Sequence, residues 1–134
     1  MTFNTLDYVI IDVETTGMNP KEGHAIVELA AMRVRDRKTI EVFDNIVNPG
    51  REIDAEAAAI NGISNEMIKQ QGKLLIEVIP AFAMFVGESI LVGHNIGFDL
   101  AFINSDLKQF GLPELANECI DTIALAKSKV AVAS

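Results

Sequence analysis

The 134-residue chain is 49% hydrophobic and 22% charged, enough apolar material for one sizeable core and one domain. Eleven Lys and Arg against nineteen Asp and Glu leave a net charge of −8 and a pI near 4.6, which argues against a broad basic surface gripping long nucleic acid, since such binding is carried by many cationic contacts to phosphates. Cys119 is the only cysteine, so a disulfide framework and a Cys-rich zinc site are both excluded within one chain.

No Lys or Arg precedes Lys21 and no apolar leader opens the chain, so a secretory signal is not expected. The uncharged run between Glu77 and Glu88 is ten residues, short of the roughly 20 needed to cross a bilayer. A soluble cytoplasmic protein without membrane contact is the expectation.

In chain order, Asp7 to Val13 (DYVIIDV) is β-rich and apolar on both faces, the pattern of a strand buried mid-sheet. After a turn-rich stretch with Gly17, Asn19, Pro20 and Gly23, the segments Ala25 to Arg35 and Thr39 to Val47 read as strands joined by a charged turn at Asp36, Arg37 and Lys38, completing an antiparallel meander. Asp54 is placed to cap a helix over Ala55 to Ile60, and Ser64 to cap a second one that Gly72 closes. Ile76, Ile79, Phe82, Ala83 and Val86 are spaced for a helix despite Pro80. A short strand is expected at Ser89 to Val92, a helix over about Phe98 to Phe110, and another over Asp121 to Val130. Antiparallel strands followed by alternating helix and strand predict an α/β or α+β fold with a mixed sheet flanked by helices.

The chemistry-bearing segment is DVETTG. Asp12 and Glu14 lie two apart at the end of the first strand, hence on one face. Two carboxylates there repel and are costly to desolvate, and a divalent cation relieves both problems. Oxygen ligands of this kind select Mg²⁺ or Mn²⁺. A bare Asp-x-Glu is usually a solvated strand end, and the attached Thr-Thr-Gly sets this one apart. The second segment is GHNIGFDLAFIN, where Asp99 falls in the first turn of an amphipathic helix whose dipole favours an anion. His94, Asn95 and Phe98 before it offer polar contacts and an aromatic face on which a base can rest.

Asp12, Glu14, Thr15, Thr16 and Gly17 resemble the first motif of the DEDD superfamily of 3′-5′ exonucleases, and His94, Asn95, Phe98 and Asp99 resemble its second. The branch resembled is the proofreading epsilon-subunit and PolC-type exonuclease of bacterial DNA polymerase III. Glu28, the VNPG at Val47 to Gly50 and the INGIS at Ile60 to Ser64 extend the likeness over about Asp7 to Lys127. The resemblance implies a ribonuclease H-like fold with a five-stranded mixed sheet, and two divalent cations, Mg²⁺ or Mn²⁺, on four carboxylates. Asp12, Glu14 and Asp99 would be ligands, with Asp12 bridging both ions. Thr15 and Thr16 would hold the terminal nucleotide, Met18 would wedge against its base, and His94, Asn95 and Phe98 would contact the strand. The implied partners are a single-stranded DNA 3′ end and a DNA polymerase subunit.

The family's third motif, a His or Tyr base before a fourth Asp, has no counterpart here. His24, His94 and Tyr8 all precede Asp99. The expectation is therefore a single exonuclease-like domain, 1–134, lacking the final helix and weakly active or inactive unless Asp106, Asp121 or a partner chain substitutes. A missing base removes about 10²- to 10⁴-fold of rate. Two other readings share the motifs: a non-catalytic remnant that binds a polymerase or a nucleic-acid end, and a 3′-5′ exoribonuclease. His24, in a turn after Gly23, reads as a surface residue, and Glu28 as a hydrogen-bonding neighbour of the site.

Overall fold

Alternate residues of the first strand, β1 (Tyr8–Thr15), go to opposite faces, and the burial follows: Val9, Ile11 and Val13 are buried while Ile10 and Asp12 are exposed. The structure, a computed structural model, describes residues 7–124. β1 pairs antiparallel with β2 (Ile26–Arg35), and β2 with β3 (Lys38–Asn48). The β2–β3 hairpin turns on two residues, Asp36 and Arg37, at φ 50° and 67°, the conformation that matches strand twist. Lys38, expected in the turn, opens β3.

The helices α1 (Ala55–Asn61) and α2 (Asn65–Gln71) are capped as expected, Asp54 accepting from the Ala57 N–H and Ser64 from the Met67 N–H. The two-residue β4 (Lys73–Leu74) follows, then α3 (Leu75–Val86), β5 (Ile90–Gly93), α4 (Ile96–Gln109) and β6 (Cys119–Asp121). The sheet order is β4-β3-β2-β1-β5-β6, with β5 parallel to β1 and β6 parallel to β5. The α/β mixed sheet is as the sequence implies, with six strands rather than five.

Three expectations are corrected. Asp121 ends strand β6 instead of opening a helix; residues 122–124 are helical, and the rest of the predicted helix lies outside the described residues. In α3 the buried set is Val78, Ile79, Phe82 and Val86, while Ile76 is half exposed. β1 is central in the sheet but buried on one face only. Val42, Met32, Ile10, Val92 and Ile120 lie in register across five strands, and four of them are exposed by 36–66%.

The opposite face carries the core. Val9, Ile11, Leu29 and Leu91 pack there with Phe82 of α3 and Phe102, Ile103 and Leu107 of α4. A second, smaller core of Val27, Ile53, Ile63 and Ile68 seats α1 and α2 against the sheet. β1 and β5 run parallel, and α4 starts just past β5. The first turn of α4 is thereby brought beside the end of β1.

Candidate active site

Asp12 and Glu14 share the open face at the end of β1, where Asp12 stands opposite Ala30 and Glu14 opposite Glu28. The ladder slips between Glu14 and Thr15, and the chain leaves the sheet there. Like charges directly opposed across a ladder destabilise it. Glu28 relieves this by taking up a proton: its hydrogen bond to Asp44, its burial, and the charges of Asp44, Glu14 and Asp12 push it up to about 7. The hydrogen-bonding role expected of Glu28 is thus directed at Asp44, a residue the sequence reading did not single out.

Asp99 is the one buried charged residue among those described, at 5% exposure. Burial first, then the charges of Asp12, Glu14 and Asp121, push its carboxyl up to about 7. Glu14 is also raised, by burial and by Asp12. Glu14 and Asp99, both raised by burial and by neighbouring negative charge, form with Asp12 a donor set short of positive charge, and a hard divalent cation fits it. Among the described residues no three His, Cys, Asp or Glu side chains already stand closed around one point.

Asp106, two turns beyond Asp99 on α4, is raised to about 6 by burial alone and feels none of these charges. It takes no part in the cluster. Asp121 does reach Asp99 electrostatically, but its carboxylate already accepts from the N–H of Asn95 at 3.0 Å and of Ile123 at 2.9 Å. Burial pushes it up; these N–H groups, that of Ile96 and His94 outweigh burial and hold it below the usual range. Asp121 therefore pins the start of α4. Asn95 adopts the left-handed conformation there, φ 63°, which Asn tolerates better than most residues.

His94 is exposed, with Nδ1 3.0 Å from Thr122 Oγ1, which in turn donates to the Gly93 carbonyl at 3.4 Å. Phe98 is half buried, packed on Phe102 with centroids 5.2 Å apart, and its other side lines a cavity.

The cavity measures about 250 Å³ and lies between Glu14, Thr15, Thr16, Met18 and Phe98 on one side and Ala57, Ile60 and Asn61 of α1 on the other. Met18 and Ile60 stand at 76% and 86% exposure. Both threonine hydroxyls are engaged in building the loop: Thr15 donates to the Gly17 carbonyl at 2.6 Å, and Thr16 accepts from the Ala25 N–H at 2.9 Å. Asn61 ties α1 to the Thr15 carbonyl at 3.2 Å. Of the predicted site residues, the structure groups Asp12, Glu14 and Asp99 electrostatically and places Thr15, Thr16, Met18 and Phe98 around one cavity. His94 and Asn95 sit at the start of α4 and do not line it.

His24 is not the bare surface residue expected. Its Nδ1 accepts from the Asn19 N–H at 3.0 Å, and its ring fills the space where a Gly17 side chain would be, 2.5 Å from the position of a Cβ. Arg51 donates to the Gly23 carbonyl and ties the same loop down. Ile60 and Asn61 had carried only a sequence-motif signal, and Ala57, His24 and Arg51 no signal for the site, because each acts through a contact distant in sequence.

The RNase_T exonuclease family model matches residues 9–133. The chain belongs to this exonuclease family. It is 36% identical over 121 residues to the PolC-type DNA polymerase III of Latilactobacillus sakei, covering 90% of this chain and 8% of the relative. It is 34% identical over 127 residues to that of Thermotoga maritima, covering 95% and 9%. The chain thus spans less than a tenth of the length of these curated relatives. Among solved structures, product-bound exonuclease I superposes with a TM-score of 0.82 at 17% identity, over 93% of this chain and 32% of that one. Exonuclease X in complex with 5′-overhanging duplex DNA matches with a TM-score of 0.67 at 32% identity, over 90% and 63%. The fold is the ribonuclease H-like fold of these exonucleases.

Proposed function

We propose that this chain is a divalent-metal-dependent 3′-5′ exonuclease domain that removes nucleotides from single-stranded DNA ends in the context of replication and proofreading, in the cytoplasm and alongside a polymerase. The observation that carries the reading is the buried Asp99 carboxyl, raised by burial and by Asp12 and Glu14, the last of which lines a cavity together with Met18 and Phe98. Family membership and the PolC-type relatives support it.

Asp12, Glu14 and Asp99 would hold two ions, Mg²⁺ or Mn²⁺. Bound there, such ions supply Lewis acidity and lower the pKa of a coordinated water. The chain's own residues do the rest. Phe98 and the exposed Met18 and Ile60 offer apolar contact to a terminal base, while the loop of Thr15 to Gly17 offers backbone polar groups to its sugar and phosphate. Asp121 orients the first turn of α4, and with it Asp99. His24 and His94 are the only histidines and neither follows Asp99; His24 is committed to Asn19 and His94 to Thr122. Neither stands where the family's third-motif base would, after Asp99, and the loss of such a base would slow turnover by about 10²- to 10⁴-fold on the usual scale of general-base catalysis.

The test is release of labelled mononucleotides from 3′-labelled single-stranded DNA with Mg²⁺ or Mn²⁺, beside Asp12→Ala. Slow release that disappears in the variant is the expected result. Release unaffected by Asp12→Ala, or neither release nor Asp12-dependent Mn²⁺ binding, refutes the proposal.

A further inference from the structure

A second and larger cleft, about 660 Å³, adjoins the first across the exposed side chain of Met18, which lines both. Its wall is the outer face of α4, with Gly97, Ala101 and Lys108 at near-helical repeats, and its other bank carries Lys21 from the loop after Met18. Gly97 and Lys108 are eleven helical rises apart, about 16 Å. Both lysines are exposed, and neither is in an ion pair among the described residues. Glu114 is the one carboxylate lining this cleft.

The opposite way out of the site leads over the sheet, past Glu28 and Asp44, where Lys73 is the only cation lining the depression. In a chain of net charge −8, a polyanion is steered by where positive charge is left uncompensated. The α4 cleft is that direction.

We propose that the single strand leading to the 3′-terminal nucleotide lies in the α4 cleft, with Lys21 and Lys108 pairing its phosphates and Gly97 and Ala101 letting the backbone approach the helix. This rests on the reading of the adjoining cavity as the seat of the terminal nucleotide. Sixteen ångströms holds at most about five nucleotides at the stacked spacing of about 3.4 Å. The domain therefore reads a short tail rather than a long strand, in keeping with its acidic surface.

The experiment measures binding of 5′-labelled oligothymidylates of two to ten nucleotides by anisotropy, without divalent ion and at several salt concentrations. It is paired with calorimetry of dTMP in the presence of Mn²⁺. Affinity is expected to rise with length to about six nucleotides and then level off. Lys21→Ala with Lys108→Ala should weaken the ten-mer about tenfold at low salt and reduce the slope of log K against log salt by about 1.4, two single-strand phosphate contacts, leaving dTMP binding unchanged. Glu114→Gln should tighten the ten-mer, and Lys38→Ala, which removes one positive charge on the distant hairpin, should do nothing. A double variant that keeps the wild-type affinity and salt slope overturns the cleft while Mn²⁺-dependent dTMP binding still upholds the site. Failure of the wild-type protein to bind either the ten-mer or dTMP overturns both.

Discussion

Replacing Asp99 by Asn removes the charge that the fold accommodates least well. The carboxyl is pushed from an ordinary value of 3.8 up to about 7 by burial and by Asp12, Glu14 and Asp121. A raised carboxyl is neutral in both states below about pH 4, and its cost grows as pH climbs from there to the folded value. Three units at 1.36 kcal/mol each set that cost at about 4 kcal/mol above pH 7, as an upper bound. In EDTA, Asp99→Asn should be nearly neutral at pH 4 and more stable than wild type at pH 8, the gap widening by about 3 kcal/mol between pH 5 and pH 8. Urea denaturation at both pH values reads this directly. Glu28 also titrates near 7 but is present in both proteins, so it largely cancels in the difference. Mn²⁺ should narrow the gap at pH 8, since an ion at 100 times its dissociation constant stabilises wild type by about 2.7 kcal/mol. Parallel pH dependences of the two proteins in EDTA would show that Asp99 is not held beside the other carboxylates.

Other consequences are local. Gly17→Ala places a methyl 2.5 Å from the His24 ring and should cost about 1–3 kcal/mol through displacement of that ring; addition of His24→Ala should recover part of the loss, and a thermal-melt double-mutant cycle measures the coupling. Arg37→Gly, at φ 67° in the two-residue turn, relieves about 1 kcal/mol of left-handed strain and should raise the melting temperature by about 3–5 °C.

Much of this protein is written in short-range pattern. The alternation of β1, the caps Asp54 and Ser64, and the apolar spacing of α4 each depend on neighbours within a turn or a strand, so the elements were legible without the fold. Asp12, Glu14 and Asp99 stood out in the sequence through their neighbours, Thr-Thr-Gly after the first two and His94, Asn95 and Phe98 before the third, since a bare acid at a strand end or helix start is ordinary structure. The sequence did not indicate β4 or β6, since two or three residues have no periodicity, and these strands exist because β3 and β5 offer them unpaired edges. Nor did it indicate that one face of β1 is left open, which depends on where α3 and α4 pack. Register put Glu28 opposite Glu14 and diagonal to Asp44, and chain reversal brought His24 back onto Gly17. Those are contacts between residues 7 to 16 apart, or farther still for Arg51 on Gly23 and Asn61 on Thr15. Local residue preference determined which chemistry the chain carries. Only the long-range pairing of the sheet decided what surrounds each carboxylate, and hence which of them is pushed up, which is held down and where a cation has reason to bind.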